Sequence, residues 1–279
     1  MASPAVPSQS AGISGRALAV LVPLAVVLGI ATVFAPGRLA ALGSGGVDQG
    51  NLRDTLRGGF IEYWGAGRRD FPPRLASAVD YWFRFHVAKA VIAALLLIVL
   101  VVLGILLWKA FLRASGVRTG SVLASSGVIV TLLGVLALLT VMANIQGMVT
   151  PFSSLMPMLR DGDSDPELTA TLDQVRQRLA ESTRTDDPPA LDVMISDFAR
   201  YHAVMAVIAA TVAVVLIAVS VLLWKHFRSA SDRRTRRVLA CFGILSALGA
   251  LALLIVLVGN ISVAADATPA LKAFFEGGW

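Results

Sequence analysis

The chain has 279 residues, of which 56% are hydrophobic and only 15% charged, and its mean hydropathy is +0.75. Soluble domains carry about 25% charged residues, so this composition excludes a soluble globular enzyme. It points instead to a polytopic membrane protein. The single cysteine, Cys241, excludes an intrachain disulfide, and with only three histidines there is no zinc-ligand spacing. Arginine makes up 20 of the 24 basic residues, which together with abundant Ala, Val, Leu and Gly fits a bacterial genome of high GC content.

Five apolar segments follow one another along the chain: Ala17–Ala35, Val87–Trp108, Val122–Ala143, Ala203–Trp224 and Val238–Gly259. Each is long enough, at about 1.5 Å per residue, to cross a hydrocarbon core of about 30 Å as a helix. Lipid offers the backbone no hydrogen-bond partners, so the spans must be helical. The segments 109–121 and 225–237, with Arg16, hold ten Lys and Arg against the single acid Asp232. The positive-inside rule puts them in the cytoplasm and the more acidic remaining loops outside. The basic balance therefore records topology, and no nucleic-acid partner is expected. Arg228, Arg233, Arg234, Arg236 and Arg237 are the residues expected to meet anionic lipid headgroups.

The first span ends in Val33-Phe34-Ala35, a small-residue pattern open to signal peptidase. Its apolar run exceeds the usual signal core, and Pro36 would occupy the first mature position, so a retained signal anchor is expected.

A shift of 116 residues aligns two halves of the chain without a gap. Pro72-Pro73 falls on Pro188-Pro189, Arg84-Phe85-His86 on Arg200-Tyr201-His202, Trp108-Lys109 on Trp224-Lys225, and Asn144-Ile145 on Asn260-Ile261. Between Arg84 and Ile145, 26 of 62 positions are identical. Shared apolar composition does not put Pro-Pro, Arg-x-His, Trp-Lys and Asn in register, so the pattern is an internal duplication. Each unit crosses the membrane twice, which makes the repeats parallel about an axis along the membrane normal.

The expected fold is all-α: an N-terminal span plus a four-helix bundle of two parallel two-span repeats, topped by short extracytoplasmic helices forming a small cap. The expected divisions are a disordered cytoplasmic N-terminus (1–16), the signal anchor (17–35), an extracytoplasmic segment (36–67) and a first repeat unit (68–146). An extracytoplasmic helical segment (147–183), a second unit (184–262) and an extracytoplasmic tail (263–279) follow.

Helical periodicity runs through the outer segments. Asp165-Pro166 precedes Leu168, Leu172, Val175 and Leu179, an N-cap acid and a first-turn proline ahead of an apolar stripe. Leu191, Met194, Ile195 and Phe198 form a stripe leading into the fourth span, and Leu75, Val79 and Phe83 one leading into the second. Both helices should project two or three turns beyond the bilayer. With Leu52, Leu56, Phe60, Tyr63 and Trp64 they would build the cap, connected by residues 43–50 and 161–165. Within the spans, Gly127, Gly134, the Gly243/Ala247 pair and the pairs Ala90/Ala94 and Ala206/Ala210 give the small-residue spacings of tightly packed helices.

Familiar catalytic signatures are missing. No carboxylate or arginine lies inside the apolar spans, which argues against proton-coupled transport. The one duplicated polar set, Arg84, His86, Asn144, Arg200, His202 and Asn260, lies at the outer ends of the spans. Two of its features fit ordinary structure. Arg84 and Arg200 can pair with Asp80 and Asp197 one turn earlier, and the asparagines can cap helix ends. A chemical alternative is one b-type haem held between His86 and His202, with the arginines on its propionates. These features lead to a non-catalytic bacterial plasma-membrane protein, N-terminus inside and C-terminus outside, whose cap binds or stabilises an envelope partner. The helices 166–181 and 190–201 are the expected contact surface. No cofactor is required by this reading. The alternatives are the bis-histidine redox protein and a small-solute conduit along the repeat axis.

Overall fold

A computed structural model describes residues 15–160, 165–182 and 187–278. Of the expected disordered segment 1–16 and the connection at 161–165, residues 1–14 and 161–164 lie outside the described residues, whereas Gly15 and Arg16 already belong to the first helix. Ten α-helices and no strand are found among the described residues. Five of the helices are long and apolar enough to cross a membrane: α1 (Gly15–Ala41), α3 (Pro73–Arg113), α4 (Val117–Val149), α8 (Pro189–Ser229) and α9 (Arg233–Ala265). The short helices are α2 (Leu52–Ala66), α5 (Pro151–Leu155), α6 (Pro157–Arg160), α7 (Pro166–Glu181) and α10 (Ala267–Glu276).

The helix boundaries follow the 116-residue offset. Starts and ends of α3 and α8 are 116 apart, as are those of α4 and α9, and α5 and α10 also begin 116 apart. Prolines explain two of these starts, since Pro73 and Pro189 occupy first-turn positions where a missing N–H costs nothing. Both long helices start nearly four turns before the predicted spans at Val87 and Ala203, further out than the two or three turns expected. Helix α1 runs unbroken through Ala35-Pro36 to Ala41, with Pro36 and Gly37 buried, so the cleavage-like pattern sits inside a helix.

The chain forms two compact units, the described parts of Met1–Val33 with Ile92–Thr140, and Phe34–Val91 with Val141–Trp279. In the first, α3 and α4 run antiparallel, closed by a short turn. A Cβ at Gly127 would lie 2.9 Å from the Trp108 ring, and Trp108 Nε1 donates to Thr131 Oγ1 at 3.3 Å. Gly127 is thus a seat for an indole. Gly134, one turn-pair further on the same face, meets nothing within 4 Å and does not share that role. A Gly127→Leu variant is therefore expected to force the α3–α4 seam apart. Overpacking of this kind costs about 1–3 kcal/mol, which a lowered unfolding temperature in detergent would register, while Gly134→Ala should leave it unchanged.

In the second unit α8 packs antiparallel on α9 along a seam of small residues. Ala206, Ala209 and Ala213 are buried on α8, facing Gly243, Ser246 and Ala250 on α9. The small-residue spacing is therefore 3-4, a heptad-like stripe, and the expected Ala247 is exposed. On α3 the buried pair is likewise Ala90 and Ala93 in place of Ala90 and Ala94. Small residues let two backbones approach where lipid supplies no hydrophobic drive. Ser220, buried on α8, donates to the Gly243 carbonyl at 3.0 Å and pins one end of the seam. At that end Asp232 caps α9, accepting from the N–H and hydroxyl of Thr235. These bonds to its charged form hold its carboxyl below the usual carboxylate range.

The short helices close over the first turns of α3 and α8 around one apolar core. Leu52, Leu56, Phe60 and Tyr63 of α2 enter it, with Leu168, Leu172, Val175 and Leu179 of α7 and Leu191, Met194, Ile195 and Phe198 of α8. On α3 the inward face is Leu75, Ala78 and Tyr81, with Trp82 and Phe85 packed beside it. The predicted stripe through Phe83 is off by one position, and Phe83 is 42% exposed. Each large side chain taken from water contributes about 1.5–3 kcal/mol.

The buried Tyr63 phenol donates to the Ala190 carbonyl at 3.2 Å, and its ring meets Phe71 and Phe152 edge-on at 5.2 and 5.9 Å. Burial pushes its hydroxyl above the ordinary tyrosine value. Asp165 caps α7 as expected, accepting from the N–H groups of Glu167 and Leu168. The expected tail at 263–279 instead folds as α10, which buries Ala267, Leu271 and Phe275 in this core. Arg176 of α7 ties it down by donating to the Phe275 carbonyl at 2.9 Å.

Candidate functional site

The polar set of Arg84, His86, Asn144, Arg200, His202 and Asn260 lies where the long helices leave the short-helix layer, and its members make different contacts on α3–α4 and on α8–α9. His202 and Asn260 join α8 to α9 through a 2.8 Å hydrogen bond between Nδ1 and Oδ1. The Asn260 amide N–H donates on to the Val256 carbonyl at 2.8 Å, which fixes which end of the side chain faces the imidazole. Phe198 packs edge-on against the His202 ring at 4.7 Å. Asn260 and Asn144 stand five residues before the ends of α9 and α4, so neither caps a helix.

His86 takes another pose. The ring edge carrying Nε2 and Cδ2 lies against the backbone of α4 at Gly147, in space that any Cβ would fill. The residue 116 positions on is Val263, so a side-chain-free residue on α4 opens a seat that α9 lacks. His86 is buried, and its Nδ1 has no hydrogen-bond partner. Trp82 and Phe85 flank the ring at 4.7 and 5.7 Å. Asn144 is buried on α4. Lys89 places its Nζ 5.3 Å from the Phe85 ring centroid as a cation–π contact.

The arginines also differ. Arg84 pairs with Asp80 at 2.7 Å, as the spacing predicts, and packs over Gly43. Arg200 is exposed, and its expected partner Asp197 is engaged elsewhere. Asp197 accepts from the Ser153 N–H at 2.9 Å and the Ser153 hydroxyl at 2.8 Å, anchoring α5 to α8.

Sequence reasoning missed Gln146. It is buried on α4, and its amide donates to the Tyr201 carbonyl of α8 at 3.0 Å. A glutamine between an asparagine and a glycine at the end of an apolar span was the available signal. Of the predicted headgroup residues, Arg228, Arg233, Arg236 and Arg237 are exposed and Arg234 is half-buried. The Arg236 guanidinium lies 4.6 Å from the Phe227 ring centroid.

The outward-facing side of the layer is polar. Between Val47 and Trp82, and again between Thr150 and Ala206, no large hydrophobic side chain is exposed among the described residues. The apolar stripes of 166–181 and 190–201, expected to form a contact surface, are consumed in the core. Among the described residues, no three His, Cys, Asp or Glu side chains gather in a metal-binding arrangement. No protein-family model, no curated protein and no solved structure matches this chain.

Proposed function

We propose that this is a non-catalytic bacterial plasma-membrane protein whose short helices form an extracytoplasmic cap that binds or stabilises another envelope component. The observation that carries this reading is the single apolar core uniting α2, α5, α6, α7 and α10 with the first turns of α3 and α8. A membrane anchor needs no such platform. A rigid recognition surface does, because preorganisation lowers the entropic cost of binding. The polar exterior of the layer means that its partner is read by hydrogen bonds and charge.

The topology follows from the hairpins. Each of α3–α4 and α8–α9 turns through a basic segment, and the short helices join the opposite ends. With the basic turns in the cytoplasm, the cap lies outside. Arg228, Arg233, Arg234, Arg236 and Arg237 then face the inner leaflet, where each exposed basic side chain attracts anionic lipid by about 1 kcal/mol. In this reading the His202–Asn260 bond is a helix-pairing device between α8 and α9. Haem ligation draws no support from His86, whose Nε2 edge lies against the α4 backbone at Gly147.

Two measurements on intact cells test the proposal. In a Cys241→Ser background, Thr169→Cys should react with a membrane-impermeant maleimide and Ser231→Cys should not; the reverse pattern overturns the orientation. A photo-crosslinking amino acid at the exposed cap position Ala170 should capture an envelope component in a salt-sensitive manner. The same residue at Val215, on the apolar exterior of α8, should capture only lipid. Equal capture at both positions, or none at cap positions, overturns the binding role.

A further inference from the structure

We infer that the cap carries a binding site for a neutral sugar, in the cleft between α2, α7 and the start of α8. The inference rests on the extracytoplasmic reading of the cap and names the chemistry of what it meets. The cleft measures about 340 Å³ and is lined by Trp64, Gln174, Gln177, Arg178 and Glu181, with Pro188 and Ala190 closing one side. That volume falls in the range of small-molecule sites, about 300–1,000 Å³.

The lining is built by helix geometry. On α7 the core stripe uses Leu168, Leu172, Val175 and Leu179. Gln174, Gln177, Arg178 and Glu181 recur at intervals of three and four residues along the adjoining face, which places four polar heads in one row. Across from them Trp64 comes from the last turn of α2, and the Tyr63 bond to the Ala190 carbonyl holds α2 against α8.

These side chains are already ordered by one another. Trp64 Nε1 donates to Gln174 Oε1 at 3.1 Å, which fixes the plane of the indole. The Gln177 amide donates to Glu181 Oε1 at 3.0 Å, and Arg178 stands 3.8 Å from Glu181 Oε2. These bonds leave N–H donors on Gln174 and Arg178 and carbonyl or carboxylate acceptors on Gln177 and Glu181 for a ligand.

The charge balance narrows the class. Arg178 and Glu181 neutralise each other, so the cleft favours neither an anion nor a cation. Alternating donors and acceptors suit hydroxyl groups, each of which donates one hydrogen bond and accepts others. An indole beside them offers an apolar, weakly negative face to the C–H groups of a pyranose ring. A cleft that is aromatic on one wall, amide-lined on the other and uncharged overall matches a neutral oligosaccharide, and the cell envelope is rich in that chemistry.

Saturation-transfer NMR on the full chain in nanodiscs tests this, with N,N′-diacetylchitobiose, cellobiose and maltose as probes. At least one probe should bind saturably, with transfer strongest at the C–H protons of one ring face. Gln177→Ala, an exposed position whose loss leaves the core intact, should weaken binding several-fold. Trp64→Ala should weaken it roughly tenfold, as expected for losing an aromatic face contact, and Trp64→Tyr should restore most of it. No saturable binding by any probe, or binding undiminished in Gln177→Ala, overturns the sugar site. Crosslinking from Ala170 does not pass through the cleft, so a negative sugar result beside positive crosslinking removes this site while leaving the binding cap in place.

Discussion

Substituting Gly59 by leucine is expected to unfold the layer of short helices while leaving the five long helices intact. Gly59 lies on the buried face of α2 where that helix crosses the start of α3. A Cβ there would sit 2.6 Å from the Leu75 nitrogen, 2.8 Å from its Cα and 3.1 Å from the Arg74 carbonyl carbon. All three are backbone atoms, and a helix backbone cannot swing aside as a side chain can. The helices must separate, which withdraws Leu56, Phe60 and Tyr63 from the core they share with Leu75. Overpacking alone costs about 1–3 kcal/mol, and each large side chain pulled from the core forfeits about 1.5–3 kcal/mol more. That total rivals the whole stability of a small domain, about 5–15 kcal/mol.

Limited proteolysis in detergent should therefore cut Gly59→Leu within residues 50–72 and 165–182 at protease levels that spare the parent protein. Gly65→Ala on the same helix is the control. Its Cβ meets nothing within 4 Å, and replacing an interior glycine favours the helix by up to about 1 kcal/mol. Equal resistance of Gly59→Leu and the parent would show that α2 does not pack on α3 as described.

The spans, the helix starts at paired prolines and the α7 stripe were legible because each depends on local pattern. Apolar length, a first-turn proline and a capping aspartate act within one or two turns of themselves. What escaped depends on partners far away in the chain. Periodicity announces an apolar face at 168–179 and 191–198 but does not say whether that face meets a core or a foreign protein. The answer came from the other short helices, which supply enough apolar surface to bury both stripes. The choice of Ala93 over Ala94, and of Ser246 and Ala250 over Ala247, turns on about 100° of helix rotation per residue, which the opposing helix sets. The C-terminal helix was hidden for a related reason. Leu271, Phe274 and Phe275 over ten residues are too short a signal to fold alone, and α10 exists because the core receives it.

The candidate site was legible as a set of residue types but not as contacts. The 116-residue offset aligns His86 with His202 and Asn144 with Asn260, which invites a symmetric ligand. The asymmetry came from a single aligned pair, Gly147 and Val263, whose importance is visible only once the imidazole of His86 is seen lying on the glycine. Asp197 shows the same limit. Its spacing to Arg200 predicts an ion pair, yet the Ser153 N–H and hydroxyl of another helix outcompete an exposed arginine. Two short hydrogen bonds to a carboxylate outweigh a solvent-screened pairing worth about 0–1 kcal/mol.

That asymmetry gives the two histidines opposite expected responses to the same substitution. His202→Leu removes the partner of the Asn260 carbonyl oxygen at the α8–α9 seam and leaves a polar atom without its bond. Stranding such a group where water is scarce costs about 1–3 kcal/mol. Adding Asn260→Leu should recover most of that loss, because removing both partners of a buried hydrogen bond is nearly neutral. His86→Leu takes away a ring nitrogen that has no hydrogen-bond partner and replaces it with carbon, so its cost should be small or its effect stabilising. Thermal unfolding of the parent, His202→Leu, Asn260→Leu, the double variant and His86→Leu in detergent, followed by tryptophan fluorescence, completes the cycle. A coupling between His202 and Asn260 beside a negligible loss from His86→Leu identifies the α8–α9 pair as the structural lock. Equal losses from His86→Leu and His202→Leu would instead mean that the two rings do one job together, as a shared ligand would require, and would return the bis-histidine reading to the front.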